Sequence, residues 1–517
     1  MSLKDSIAAG YKIIHDANLQ NIAATLDCKI SSATDVLQRN MAQATLTKPE
    51  ILVARQAAII QLRKNPPQAW DSRFDRAAEI EEELTTFFQE AEANKDSLEN
   101  DSIAQLSFQD DYLKPLNHVP WMIMLIAIFK VWIVPTITLL TPIIAWVIPY
   151  LLLRFVYALP IDQQEYAHIL QGMWLGNMTP PGVDLPAAPQ DMLSPRSILQ
   201  FILFGFSFAQ GMIQPIQNAM HLYKTDRIIT DLGKKLLELR DIMKAMKADA
   251  ATLDVKLTST LEELEDSDYR RAFMLVKEQP ERLQILYRDL ANLEVLWRIA
   301  SAEHLLQPVV FKPDVLFLEE MTDISLTDGV SSSLELVSRS QRHAVITGPN
   351  GGGKSSFLRA TLQCVVLGHS YGVAPAQRAF MPRFHWIASG LQLRDTPGLY
   401  SMFETEVKFA ADCIRSSRIS GPGLVLFDEL FHSTNPPDGT RSAKVFLKEL
   451  WSPESNVFSV ISTHVFPLVE NAPDNVQAIC CPASQSLDGR IHYSYKAEPG
   501  ICQVSSVRTV WQKYGLI

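Results

Sequence analysis

The chain has no C-x-x-C pair, no basic excess, no internal repeat and no apolar leader, and each lack removes a class of function. Six cysteines (Cys28, Cys364, Cys413, Cys480, Cys481, Cys502) are scattered through 517 residues, and the adjacent Cys480-Cys481 fits no zinc-ligand spacing. Free thiols in a reducing compartment are therefore expected, and a disulfide scaffold is not. A net charge of −10 argues against a chain that coats polyanions along its length, leaving only a local basic face for that purpose. Met1-Ser2-Leu3-Lys4-Asp5-Ser6 lacks the apolar stretch of a secretory signal. Apolar residues are plentiful at 47%, enough for a large core, and the length predicts about three domains.

Charge is most sparse from Val119 to Leu153, where Lys130 stands alone and Val131–Leu153 gives 23 uncharged residues. That run exceeds the ~20 apolar residues that span a bilayer. Trp121, Trp132, Trp146 and Tyr150 supply rings suited to an interface, and Pro135, Pro142 and Pro149 predict kinks that a membrane tolerates. A second uncharged run, Ile198–Ile213, is short for a full span. Between them lies a loop rich in proline (Pro180, Pro181, Pro186, Pro189, Pro195). Three arrangements stay open: one crossing with a return at 198–213, a tight hairpin within the first stretch, or a buried helical hairpin of a soluble core. On either side the pattern is helical. Leu232, Leu236, Leu239, Met243 and Met246 recur at helical spacing, and ordinary helix packing explains that stripe.

The chemistry lies further on. Gly348-Pro349-Asn350-Gly351-Gly352-Gly353-Lys354-Ser355 fits GxxxxGKS, preceded by the strand-like His343–Thr347 and followed by a helix start at Ser356. That context turns a glycine-rich stretch into a phosphate cradle, because inward-facing N–H groups and a helix N-terminus both favour anions. Lys354 is placed to reach the β- and γ-phosphates, and the Ser355 hydroxyl to sit on Mg²⁺. About 75 residues later, the apolar Leu424-Val425-Leu426-Phe427 ends in Asp428-Glu429. There, Asp428 is expected to hold Mg²⁺ and Glu429 to polarise a water. Ile461-Ser462-Thr463-His464 ends another apolar run, which places His464 at the γ-phosphate or the attacking water. Residues 305–340 read as short strands and turns leading into this region.

With these motifs on the page, the chain resembles the MutS mismatch-repair ATPases. The family's TGPNMGGKST is similar to Thr347–Ser356, and Ser462-Thr463-His464 matches its STH motif. A VPA-like turn resembles Val373-Ala374-Pro375-Ala376. The STFxxE element resembles Ser401-Met402-Phe403-Glu404-Thr405-Glu406, and DEIGRGTSTYDG resembles Asp428–Gly439. Weaker likenesses place Pro49–Leu62 and Ala291–Ala300 on core helices of the family. The resemblance implies an ATP and Mg²⁺ site in which Ser401 reaches a partner's nucleotide in trans, within a homodimer or MutS-like heterodimer. It implies a MutS/ABC-type α/β P-loop ATPase domain (305–517) on an all-α core/lever in two parts (1–110 and 216–304). The apolar insert (111–215) stands where the family carries its DNA clamp.

The departures are as specific. No GxFYE-like element precedes the core, the threonine of STF is Met402, and GRGT has become Phe431-His432-Ser433-Thr434. The family's C-terminal helix-turn-helix is not expected after Tyr514-Gly515-Leu516-Ile517. Two functions therefore compete. One is a dimeric ATPase attached to a membrane through 119–153 and 198–213, with its ATPase domain on the cytosolic or nuclear side. The other is a soluble intracellular DNA repair or recombination clamp, whose phosphate contacts would be Lys234, Lys235, Arg240, Lys244 and Lys247. Interleaved Asp231, Glu238 and Asp241 favour a solvated face over such contacts. A transporter ATPase is disfavoured, since no LSGGQ and no set of six spans is present.

Overall fold

Strands with no polar alternation, such as Leu424–Phe427, can only be satisfied by burial on both faces, which parallel sheets provide. The computed structural model bears this out. It describes residues 3–93, 98–158, 160–166, 195–253, 255, 257–258, 261–394, 400–486, 491–505, 507, 511 and 514–516. The prolines at 180, 181, 186 and 189 lie outside these residues, as do the side chains of Trp146 and of most of 198–208.

Beyond residue 306 come β1 (Gln307–Phe311), β2 (Val315–Met321), β3 (Ser332–Val337), β4 (His343–Thr347), β5 (Val373–Ala374), β6 (Arg378–Met381) and β7 (Trp386–Gly390). They are followed by β8 (Gly423–Phe427), β9 (Val457–Ser462), β10 (Val476–Cys480), β11 (Ala483–Gln485), β12 (Ile491–Tyr493) and β13 (Glu498–Pro499). A six-stranded sheet has the order β13-β10-β4-β9-β8-β7 and is parallel except at β13. A mixed five-stranded sheet, β3-β2-β6-β1-β5, stands earlier in the chain. Every residue of β4, β8 and β9 is buried, whereas β3 alternates buried and exposed as a sheet with one wet face does.

The register decides where chemistry gathers. Ile346 pairs with Ser462 and Phe427 with Ile461, so β4, β9 and β8 end side by side. Ligands in open α/β sheets bind outside such carboxyl ends. The helix Lys354–Tyr371 that follows β4 is buried along most of its length.

The chain divides into two compact units, one of residues 1–78, 245–258 and 285–517, the other of 79–244 and 259–284. In the first, N-terminal helices are tied to the strand region by side-chain bonds to backbone. Gln56 Nε2 donates to the carbonyls of Val309 and Gly372, both at 2.7 Å, and Arg55 Nη1 to that of Ser370 at 2.9 Å. The fully buried Glu294 carboxylate accepts the N–H groups of Lys29 and Ile30.

In the second unit, residues 120–156 form one continuous helical run rather than a tight hairpin. The run passes through all three prolines, with π-helical turns at Phe129–Ile133 and Leu152–Val156. A wider turn just before Pro135 fits a ring that has no N–H to give. The stripe Leu232, Leu236, Leu239 and Met243 is buried. Asp226 takes a forked pair of bonds from Arg270. All six thiols are free.

Candidate functional site

Strand β4 ends at Thr347, and the chain must turn sharply to begin a helix at Lys354. Gly348 adopts φ 143°, and a Cβ there would stand 2.8 Å from the Cys481 carbonyl oxygen, so no larger residue fits. Gly353 caps the helix at φ 105°. Lys354 is buried, and its Nζ donates back across the loop to the carbonyls of Gly348 at 3.0 Å and Pro349 at 3.1 Å. Burial pushes its ammonium below the ordinary lysine value, with Asp428 and Glu429 pulling the other way. An ammonium that is buried this way and held only by carbonyls is well suited to exchange them for phosphate oxygens.

The neighbouring strand ends contribute a connected chain of oxygens. Ser355 Oγ donates to Asp428 Oδ2 at 2.5 Å, and Ser462 Oγ donates to Asp428 Oδ1. The same Ser462 oxygen accepts the Glu429 N–H at 2.8 Å. Thus the hydroxyl after the lysine, the carboxylate after β8 and the last serine of β9 form one network. Glu429 stands next to it with φ 53°, a left-handed conformation that costs a non-glycine residue roughly 1 kcal/mol. His464 Nε2 lies 3.6 Å from Glu429 Oε1. That imidazole is the leading cause holding the Glu429 carboxyl below its ordinary value, with His432 and Lys354 adding to it.

A hydroxyl and a carboxylate are hard oxygen donors of the kind Mg²⁺ takes, with water and phosphate completing its shell. Among the described residues no group of three His, Cys, Asp or Glu gathers as a metal cage.

A cavity of about 400 Å³ opens beside the loop. Asn350, Gly351, Gly353, Lys354, Ser355, Ser356 and Glu429 line it, together with Phe357 of the helix that follows the loop and with residues that sequence reasoning missed: Leu326, Val330 and Tyr495. Leu326 and Val330 belong to the turn between β2 and β3. That turn is pinned by Asp323, which accepts from Arg359 Nε at 2.6 Å and from Gln363 Nε2 at 2.8 Å. No local motif marks these residues, since they meet the loop only through sheet topology.

Ser401 is not among the residues lining the cavity of its own chain. It caps helix Met402–Ile419 in a reciprocal box: its Oγ accepts the Glu404 N–H at 3.2 Å, and its N–H reaches Glu404 Oε2 at 2.8 Å. Residues 395–399, just before it, lie outside the described set. Of the basic residues weighed for DNA, Arg240 is buried against Asp241, Asp266 and the Leu264 carbonyl, and Lys235 meets Glu83. Those cations are engaged within the chain.

Residues 344–516 match the family model described as MutS domain V. The DNA mismatch repair protein MutS of Streptococcus sanguinis is 28% identical over 243 residues, covering 44% of this chain and 28% of that protein. The mitochondrial DNA mismatch repair protein MSH1 of Arabidopsis thaliana is 28% identical over 186 residues, 35% of this chain and 16% of that one. MutS of Natronomonas pharaonis is 26% identical over 272 residues, 48% and 30%. The chain thus spans under a third of the length of these relatives. Residues 344–516 carry the likeness to MutS domain V, and these relatives support placing that region in the MutS family.

Proposed function

We propose that this chain binds ATP with Mg²⁺ and hydrolyses it, using the energy for conformational change in a dimer. The observation that carries the reading is the convergence of Ser355, Asp428 and Ser462 into one hydrogen-bonded network, with Lys354 on one side and Glu429–His464 on the other. In this reading the backbone of Gly348–Gly353 and the N–H groups of Ser355 and Ser356 cradle the phosphates. Lys354 neutralises β- and γ-oxygens, and Ser355 and Asp428 hold the cation, which supplies charge neutralisation on the phosphates. Glu429, kept ionised, takes the proton of the water that attacks the γ-phosphorus, and His464 orients that water. The products are ADP and phosphate, and the proton passes from Glu429 to solvent. Ser401 reaches the nucleotide of a second subunit. The domains act as the sequence suggests, with an ATPase domain over 305–517 and a helical core and lever over 1–110 and 216–304.

Lys354→Ala tests the site. ATP affinity in the full chain is expected to fall at least about a hundredfold, since the buried ammonium is the main counter-charge to the phosphates. Unchanged affinity would remove the phosphate-loop assignment.

A second reading concerns attachment. Within helix residues 120–141 the most apolar 18-residue stretch has a mean hydropathy of 2.3, and only 17% of that stretch is buried. At about 1.5 Å per residue the segment measures roughly 33 Å, close to the ~30 Å of a bilayer's hydrocarbon. Trp121, Trp132 and Ile137 are exposed, while Thr136, Thr138 and Thr141 turn their hydroxyls back to the carbonyls of Trp132, Val134 and Ile137. That is the polar accounting of a helix meant for an apolar medium, and it favours membrane attachment over the DNA clamp. Retention of the expressed chain in the pellet after an alkaline wash supports attachment, and release into the supernatant overturns it.

A further inference from the structure

Glu429 raises a question that its proposed role does not answer: what keeps a non-glycine residue in a left-handed conformation at this point of the site. Its N–H is taken by Ser462 Oγ. Its carbonyl lies 2.9 Å from His432 Nδ1. The same nitrogen is 3.1 Å from Oε1 of Glu406, a carboxylate with no exposure to solvent, whose other oxygen accepts from Ser433 Oγ. A carbonyl and a carboxylate are both acceptors, so Nδ1 must carry the imidazole hydrogen. That hydrogen aligns on the Glu429 carbonyl, and Glu406 Oε1 is left without an aligned donor. A buried carboxylate oxygen in that condition is costly, and the donor it lacks is already within reach.

The geometry points to His432 as a positioning residue that holds the backbone of Glu429, with the buried carboxylate of Glu406 standing by as the competing acceptor. This rests on the ATPase reading above and adds a regulation of the same site. Glu406 stands one and a half turns into the helix that Ser401 caps, and the capping box makes that turn rigid. A force on Ser401 therefore moves Glu406 with it. When the helix moves toward the ring, the single Nδ1 hydrogen transfers its alignment from the Glu429 carbonyl to Glu406 Oε1 and releases the general base. When it moves away, the bond to Glu429 is kept. An anion met by Ser401 on a second subunit would thereby set the geometry of this subunit's own Glu429. Loss of the ring leaves the left-handed turn held from one side only.

Steady-state ATP turnover of the full chain tests the assignment, with ATP affinity measured alongside. His432→Ala should lower kcat about tenfold while affinity stays within about twofold, the pattern of lost positioning rather than lost binding. His432→Asn, whose amide nitrogen stands where Nδ1 does, should recover kcat to within about threefold of the parent. His432→Gln, whose amide stands where Nε2 does, should not. Parent-level kcat in His432→Ala, or equal kcat in the Asn and Gln variants, would overturn the proposal. If the alanine chain fails to bind ATP because it fails to fold, the Asn–Gln pair decides. Failure of the underlying reading is distinguishable: there Glu429→Gln itself turns over like the parent, whatever His432 does.

Discussion

At the carboxyl ends of β4, β8 and β9, polar side chains are drawn into an apolar interior and bonded to one another. Along helix residues 120–141 the arrangement is reversed: apolar side chains face outward, and the hydroxyls fold back on their own backbone. Both follow one rule, that a polar group removed from water must find a partner. The strand ends find partners across the fold, which builds a site able to exchange them for a ligand. The helix finds them within one turn, which leaves nothing for a ligand and a surface suited to hydrocarbon. The first lies within the residues that match MutS domain V, and the second within the apolar run at 119–153.

The comparison breaks first at the helix. A Glu at the centre of a spanning helix costs about 2.5–3.5 kcal/mol on insertion scales. Ile133→Glu with Ile137→Glu should therefore shift the chain from the alkaline-washed pellet to the supernatant by more than a hundredfold in partition. An unchanged distribution would mean that the exposed face packs against something other than lipid. The nucleotide affinity of the same chain should be unaltered, because those side chains take no part in the cavity.

A smaller effect sharpens the description of the sheet region as a place where polar groups are buried. His343 Nδ1 is 2.8 Å from Ser459 Oγ between β4 and β9. His369 Nδ1 bonds the Val365 carbonyl, and its Nε2 accepts the Phe384 N–H. Burial pushes their pKa values from the ordinary 6.5 down to about 3 and about 4. The unfolded chain thus takes up these protons first as pH falls. Stability is full above about pH 6.5 and declines between there and about pH 4. At about 1.4 kcal/mol per pH unit for each group, the pair costs roughly 3 kcal/mol by pH 5.5. Burial raises the carboxyls of Asp16, Asp289 and Glu294, which act in the opposite sense. A difference measurement separates them: His343→Asn should remove about half of the acid slope in denaturant midpoints. An unchanged slope would show that His343 is not held neutral.

How much of this was legible in the chain follows from what each motif needs. Gly348–Ser355, Asp428-Glu429 and Ser462-Thr463-His464 are each written in consecutive residues at a strand end, and parallel pairing then brings them together. The apolar run at 119–153 was legible by length, and its continuity as one helix was not, because prolines argue locally for breaks that a π-turn absorbs. Leu326, Val330 and Tyr495 were invisible, since they border the loop only through the order of the strands and the Asp323 anchor. His432 was visible only as a departure from GRGT. Its partner Glu406 was visible as the last residue of the STFxxE likeness, but its burial was not, because a glutamate in a charged helix reads as exposed until the packing places it at zero exposure.

In the proposed ATP site assembled from three strand ends, hydrolysis depends most heavily on Glu429 as the base. Single-turnover ATP hydrolysis, measured with ATP binding on the full chain and on Glu429→Gln, tests it directly. The amide keeps the size of the side chain and cannot take a proton, so binding should match the parent while hydrolysis falls on the order of a thousandfold. Hydrolysis at the parent rate in Glu429→Gln would contradict the account.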